Sequence, residues 1–133
     1  MPSNENRIEL MKYRIESAKS RLRAAKVLFE AEEYKDSINR SYYAMFTAVR
    51  GLLALDAKDF SKHAGVIAYF QREYIKTGKI DKKYSKYVTN AFQIRNSADY
   101  TDFYIVSAED ARLQIQNAEE LLAIIDEYIN NIV

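Results

Sequence analysis

Arg95 is the residue whose setting most demands a chemical role. It continues the row Tyr84, Val88, Ala91, Arg95, Ala98, so it falls on the apolar side of a helix. A guanidinium there needs an anion, because an unpaired buried charge is costly. Asp99, one turn later on the same face, can supply it as a structural ion pair. A phosphate or other ligand can supply it instead. Arg40 repeats the question. It sits two residues past Ile38 in Asn39-Arg40-Ser41-Tyr42-Tyr43-Ala44-Met45-Phe46, beside aromatic bulk. Either two arginines on neighbouring central helices converge on one phosphate, or Arg40 lies over the tyrosines at the surface with its head in water.

His63 is the only histidine. On an apolar helix face it reads as a satisfied core residue or as a proton-transfer group. Its place in a first helical turn predicts a depressed pKa, since the dipole there disfavours a cation. Eleven tyrosines stand beside no tryptophan. Tyr69, Tyr74, Tyr84 and Tyr87 interleave with Arg72, Lys76, Lys82, Lys83 and Lys86. Charge for phosphates and rings for bases is what a single-stranded nucleic acid needs, but such rings also serve cores and interfaces.

Several chemistries are missing. With no cysteine, the chain has no disulfide, no thiolate nucleophile and no Cys-based zinc site. It has no glycine-rich phosphate loop, no G-x-S-x-G and no cluster of metal ligands. Neither cofactor nor metal is expected. The net charge is +1, yet it is unevenly spread. Arg7 to Lys26 holds seven basic and two acidic residues, Arg72 to Lys86 six and two, and Asp99 to Asn131 one and eight. Basic and acidic helices lying side by side would explain this, as would a basic surface for phosphates.

These residues need helices to position them. The chain has three glycines and one proline, Pro2, and no Asn-Gly or Asp-Gly hairpin. The first helix is expected from about Asn6 to Glu32, with a stripe at Ile8, Met11, Ile15, Ala18, Leu22, Ala25 and Phe29. The second should begin near Asp36 as N-cap and end near Leu55, central to the fold, with Gly51 tolerated or used for a close helix contact. The third is expected from Ser61 to a left-handed cap at Gly78, burying His63, Val66, Ile67, Phe70 and Tyr74. The fourth runs from about Asp81 to Asp99. The fifth starts at Ser107 with Asp110 in a capping box. The expected fold is all-α, an up-and-down bundle of about five helices in a single domain spanning 1–133. The N-terminus, Met1 to Glu9, is polar, and no run approaches a spanning helix, so a cytoplasmic protein without signal peptide or membrane contact is expected. Tyr42, Tyr43, Phe46 and Tyr104 offer more aromatic surface than one small core readily hides, which predicts a homodimer.

Three segments together resemble the HEPN family, named for higher eukaryotes and prokaryotes nucleotide-binding. They are Asn39-Arg40-Ser41-Tyr42-Tyr43-Ala44-Met45-Phe46, Lys62-His63-Ala64-Gly65-Val66 and Arg95-Asn96-Ser97-Ala98-Asp99-Tyr100. With the helical layout the likeness runs from about Met11 to Tyr128. It implies a four- or five-helix bundle, often a symmetric dimer, commonly paired with a small nucleotidyltransferase as a toxin–antitoxin pair or two-component enzyme. Many members are metal-independent ribonucleases whose motif is an arginine, four to six residues, then a histidine. Arg95 and Asn96 match that motif, but the position after four intervening residues is Tyr100, and no histidine follows His63. This sequence resembles a branch carrying Arg-x-x-Ala-Asp-Tyr. The difference matters chemically. Histidine, with a pKa near ~6.5, moves protons at neutral pH, whereas tyrosine, near ~10, is a poor base there.

The leading expectation is therefore a binding module. Asn39, Arg40, Tyr43, Arg95, Asn96 and Asp99 would hold a nucleotide or RNA phosphate beside a nucleotidyltransferase partner. The alternative is a metal-independent ribonuclease using Arg95 with His63 or Tyr100. A non-catalytic helical adaptor is the third reading.

Overall fold

A computed structural model describes residues 3–133; Met1 and Pro2, which open the polar N-terminal stretch, lie outside the described residues. Five helices follow one another, with no strand among the described residues: α1 (Asn4–Glu30), α2 (Tyr34–Leu55), α3 (His63–Phe70), α4 (Lys83–Tyr100) and α5 (Ala108–Ile132). A single π-helical turn, Gln71–Ile75, prolongs α3.

The ends of α1 are set by two local features. Ser3 caps it, its hydroxyl accepting from the Asn6 amide at 3.1 Å, so the helix begins before the expected Asn6. It stops at Glu30 because Glu32 takes a left-handed φ of 63°. Met11, Ile15, Ala18, Leu22 and Ala25 are buried along the expected stripe.

Helix α2 is the centre of the bundle. It packs against α1, α3, α4 and α5, and most of its residues from Ser37 to Ala54 are buried. Asp36 is not its cap: the helix starts two residues earlier, and Asp36 sits in the first turn, where its charge complements the helix dipole. Gly51 serves a close contact. A Cβ there would lie 2.9 Å from Ile15 Cδ1, so a larger residue would make that side chain shift at the α1–α2 contact.

Helix α3 starts at His63, not Ser61, and the chain leaves its π turn through Gly78 at φ 79°. The Tyr74 hydroxyl donates to Asp56 at 2.7 Å, tying this segment to the end of α2. Helix α4 begins and ends slightly later than the sequence suggests. Helix α5 carries the expected capping box: the Asp110 amide donates to the Ser107 hydroxyl at 3.0 Å, and the Ser107 amide donates to the Asp110 carboxylate at 3.3 Å.

Charge segregation along the chain becomes complementarity between helices. Lys19 of α1 lies 3.3 Å from Asp126 of α5, and Lys26 lies 3.5 Å from Glu119. On the other side of α5, Tyr87 of α4 donates to Glu120 at 2.8 Å. These pairs are largely exposed, so each contributes little to stability and acts mainly on helix orientation. The interleaved tyrosines are not a stacking platform: Tyr69, Tyr74 and Tyr84 are buried, and Lys79 and Lys83 lie over ring faces of Tyr74 and Tyr84. No helix among the described residues is long and apolar enough to cross a membrane.

Candidate functional site

Three helices bring their chemistry to one place. Successive positions of α2 present Tyr42, Tyr43 and Phe46, α3 opens with His63, and α4 contributes Phe92, Arg95, Asn96, Asp99 and Tyr100. The rings interlock: Tyr42 meets Tyr43, Phe46, His63 and Phe92 with centroids 5.1 to 5.9 Å apart.

Arg95 lies across this aromatic floor. Its Cζ is 5.7 Å from the Tyr42 ring centroid, 5.4 Å from Tyr43 and 6.0 Å from Tyr100. Ring faces attract the cation and lower the cost of taking it partly out of water. Only 16% of the side chain is exposed. Nη2 donates to the Tyr43 hydroxyl at 3.1 Å and Nη1 to Asn96 Oδ1 at 3.3 Å. Nε sits 3.0 Å from Asp99 Oδ2 as an ion pair, but the buried N–H is not aligned on that oxygen. A guanidinium has five N–H donors. One on each terminal nitrogen therefore has no partner among the described residues, and free guanidinium N–H groups are what a phosphate recruits.

The sequence left open whether Asp99 or a ligand satisfies Arg95. Asp99 does pair with it, but with 29% of its side chain exposed it does not seal the site.

His63 is half-buried, with its Nδ1 2.8 Å from the Tyr42 hydroxyl and its ring 4.2 Å from that of Phe46. Burial, reinforced by Tyr43, raises the Tyr42 pKa well above its ordinary value, so the phenol keeps its proton. Hydrogen-bond logic then makes Tyr42 the donor, Nδ1 the acceptor and Nε2 the protonated nitrogen of a neutral imidazole. The His63 pKa is lowered, first by burial and then by the charges of Arg95 and Arg50. The direction is the one its helix position predicts, while the main cause is burial.

Six of the residues singled out in the sequence thus meet here: Tyr43, His63, Arg95, Asn96, Asp99 and Tyr100. Two do not join them. Arg40 is exposed and makes no hydrogen bond or ion pair among the described residues, and Asn39 is half-buried without one. The reason is helical phase. Arg40 follows the buried Ile38 by two residues, about 200° around α2, so it faces water. Convergence of Arg40 and Arg95 on one phosphate is therefore not built into the bundle. Tyr42, Phe46 and Phe92 are the site residues that sequence reasoning did not assign to it, the first two being expected at a dimer surface. The first two lie inside the aromatic segment of α2, and their role needs the packing of α3 and α4 to appear. A groove of about 250 Å³ between α3 and α4 has Phe92 in its wall and leaves Arg95 outside it. Among the described residues no group of three or more His, Asp or Glu side chains is placed to hold a metal ion.

The chain has relatives among known proteins. The model of the HEPN domain matches residues 11–128. A UPF0332 protein of Thermotoga maritima is 35% identical over 124 residues, 93% of this chain and 94% of the relative. Two proteins of Methanocaldococcus jannaschii named as toxin candidates are also similar. One is 40% identical over 65% of both chains, the other 35% identical over 73% of this chain and 66% of its own length. The family match covers nearly the whole helical bundle, and the chain belongs to the HEPN domain family.

Proposed function

We propose that this chain is a nucleotide- or RNA-phosphate-binding HEPN module of a toxin–antitoxin type of pair, acting with a small nucleotidyltransferase in the cytoplasm. The observation that carries the reading is Arg95: a guanidinium within 6.0 Å of three tyrosine rings, with unspent N–H donors and one partly exposed carboxylate that an incoming phosphate can replace. Asn96 and Tyr43 orient it. Tyr100, 76% exposed beside the cation, offers a face on which a base can stack. The two toxin-candidate relatives support the biological setting. The module is proposed to work as a homodimer. Tyr42 and Phe46 no longer argue for one, being buried, but Phe103 and Ile105 stand 99% and 87% exposed close to Tyr104. Light scattering at micromolar concentration tests it.

A second reading, a metal-independent ribonuclease, is favoured by the placement of neutral His63 against the same tyrosines that hold Arg95. Arg95 would stabilise phosphate charge and His63 would take the proton of a ribose 2′-hydroxyl. The Tyr42 hydroxyl can turn from donor to acceptor, which moves the imidazole proton to Nδ1 and frees Nε2 as base.

The purified protein is incubated with a labelled single-stranded hexanucleotide RNA in EDTA. Binding without cleavage, weakened at least tenfold by Arg95→Ala, is the expected result. Cleavage abolished by both Arg95→Ala and His63→Ala establishes the second reading. Equal RNA affinity in wild type and Arg95→Ala overturns both.

A further inference from the structure

Beyond the Arg95 cluster, α1 and α2 carry a second concentration of positive charge. Arg14 and Arg50 share one carboxylate: Arg14 Nη2 lies 3.3 Å from Asp59 Oδ2, and Arg50 Nη2 lies 3.1 Å from the same oxygen. Arg14 Nη1 also donates to the Arg50 carbonyl at 2.9 Å. An adjoining cavity of about 270 Å³ is walled by Arg7, Arg14, Lys58 and Asp59, among others, and Asp59 is the only carboxylate in its lining. Two arginines thus pair with Asp59, and Arg7 and Lys58 add their charges to the lining of the same cavity.

The cluster is underneutralised in ways a purely structural network would avoid. Arg14 is 12% exposed, and its pKa is pushed down by burial and by the neighbouring charge of Arg50. The Nε atoms of Arg7 and Arg50 are buried with no hydrogen-bond partner. Asp59, in contrast, is 53% exposed and turns one oxygen to the amide of Phe60. An exposed carboxylate on a loop is the group that an external anion can displace.

Position says which anion. Arg50 follows Tyr43 by seven residues on the same face of α2, about 10 Å along its axis. That is too far for one phosphate to meet both Arg95 and Arg50. Between them lies His63, its ring 5.9 Å from that of Tyr43 and 4.2 Å from that of Phe46, and both arginines disfavour its cation. A ligand using both must carry phosphates in series.

We propose that the Arg14–Arg50–Asp59 cluster is a second phosphate subsite for a single-stranded RNA anchored at Arg95, its backbone running along α2 past His63. The proposal rests on the phosphate-binding reading of Arg95.

Fluorescence anisotropy with a dinucleotide and a hexanucleotide RNA over a salt series tests it. Affinity is expected to rise with length, and Arg50→Gln to weaken the hexanucleotide about fivefold or more. The log–log salt slope should fall by about 0.7, the value for one lost contact to a single strand. Arg50→Lys should restore most of both. Asp59→Asn should tighten the hexanucleotide severalfold, because the competing carboxylate is gone; a merely structural Asp59 would lower the melting temperature and leave affinity alone. If Arg50→Gln fails to fold, exposed Lys58→Ala asks the same question through a smaller loss of affinity and slope. Identical hexanucleotide affinity and slope in wild type, Arg50→Gln, Lys58→Ala and Asp59→Asn, with Arg95→Ala weakened, overturns the subsite and leaves Arg95 in place. Weakening by Arg50→Gln but none by Arg95→Ala overturns the Arg95 reading and the strand path with it.

Discussion

The Tyr42 hydroxyl meets Nδ1 of His63 at 2.8 Å, joining a fully buried residue of the central helix to the half-exposed first residue of α3. This bond ties the imidazole to the aromatic floor on which Arg95 lies. It also makes His63 the most informative probe of the site.

The His63 ring, followed by NMR, should titrate below the ordinary 6.5, because burial and the charges of Arg95 and Arg50 disfavour its cation. Arg95→Gln removes one of those charges and should move the pKa upward. The unfolded chain then binds the proton more readily than the folded one, so stability rises with pH from the folded pKa up to 6.5 and falls on acidification through that window. Tyr42→Phe should cost about 1 kcal/mol, the worth of one hydrogen bond. A His63 pKa at or above 6.5 would contradict this account of the site.

Asp99 and Arg95 should respond in opposite directions to binding. Asp99→Asn weakens the ion pair by less than about 1 kcal/mol, since the carboxylate is partly exposed. It should also tighten RNA by releasing the guanidinium. Arg95→Lys keeps the charge but loses the fork, and should bind RNA more weakly than wild type. Thermal melts and anisotropy on the same variants check both statements.

Ser107→Ala should destabilise the protein by about 1 kcal/mol, because the first turn of α5 loses the acceptor for the Asp110 amide. Amide hydrogen exchange should quicken at Asp110 first. No acceleration there would mean that the cap does not hold the helix end.

Gly78→Ala isolates a backbone effect. A Cβ at this position meets nothing within 4 Å, but φ is 79°. A loss of about 1 kcal/mol in denaturant unfolding is expected from the left-handed conformation alone.

The helices and their inward faces were legible in the sequence because three-and-four spacing of apolar residues is a local property. Met11 to Ala25 and Ala111 to Ile129 show it, as does the Ser107–Asp110 cap. Helix ends were less legible. Asp36 has cap chemistry yet lies inside α2, and the π turn after Phe70 has no sequence signature that periodicity can detect.

The site divides along the same line. Arg95 announced itself, since a cation in an apolar row is a local contradiction, and Asp99 one helical turn away was its visible partner. The sequence alone also held the HEPN likeness and the missing motif histidine. Only the tertiary structure decided that His63, from a different helix, lies beside Arg95 on the tyrosines of α2. The physical reason is that spacing along a chain fixes the angle around a helix, whereas distance between helices depends on packing. Small residues such as Gly51 and the ring contacts of Tyr42 set that packing, and no local pattern reports it.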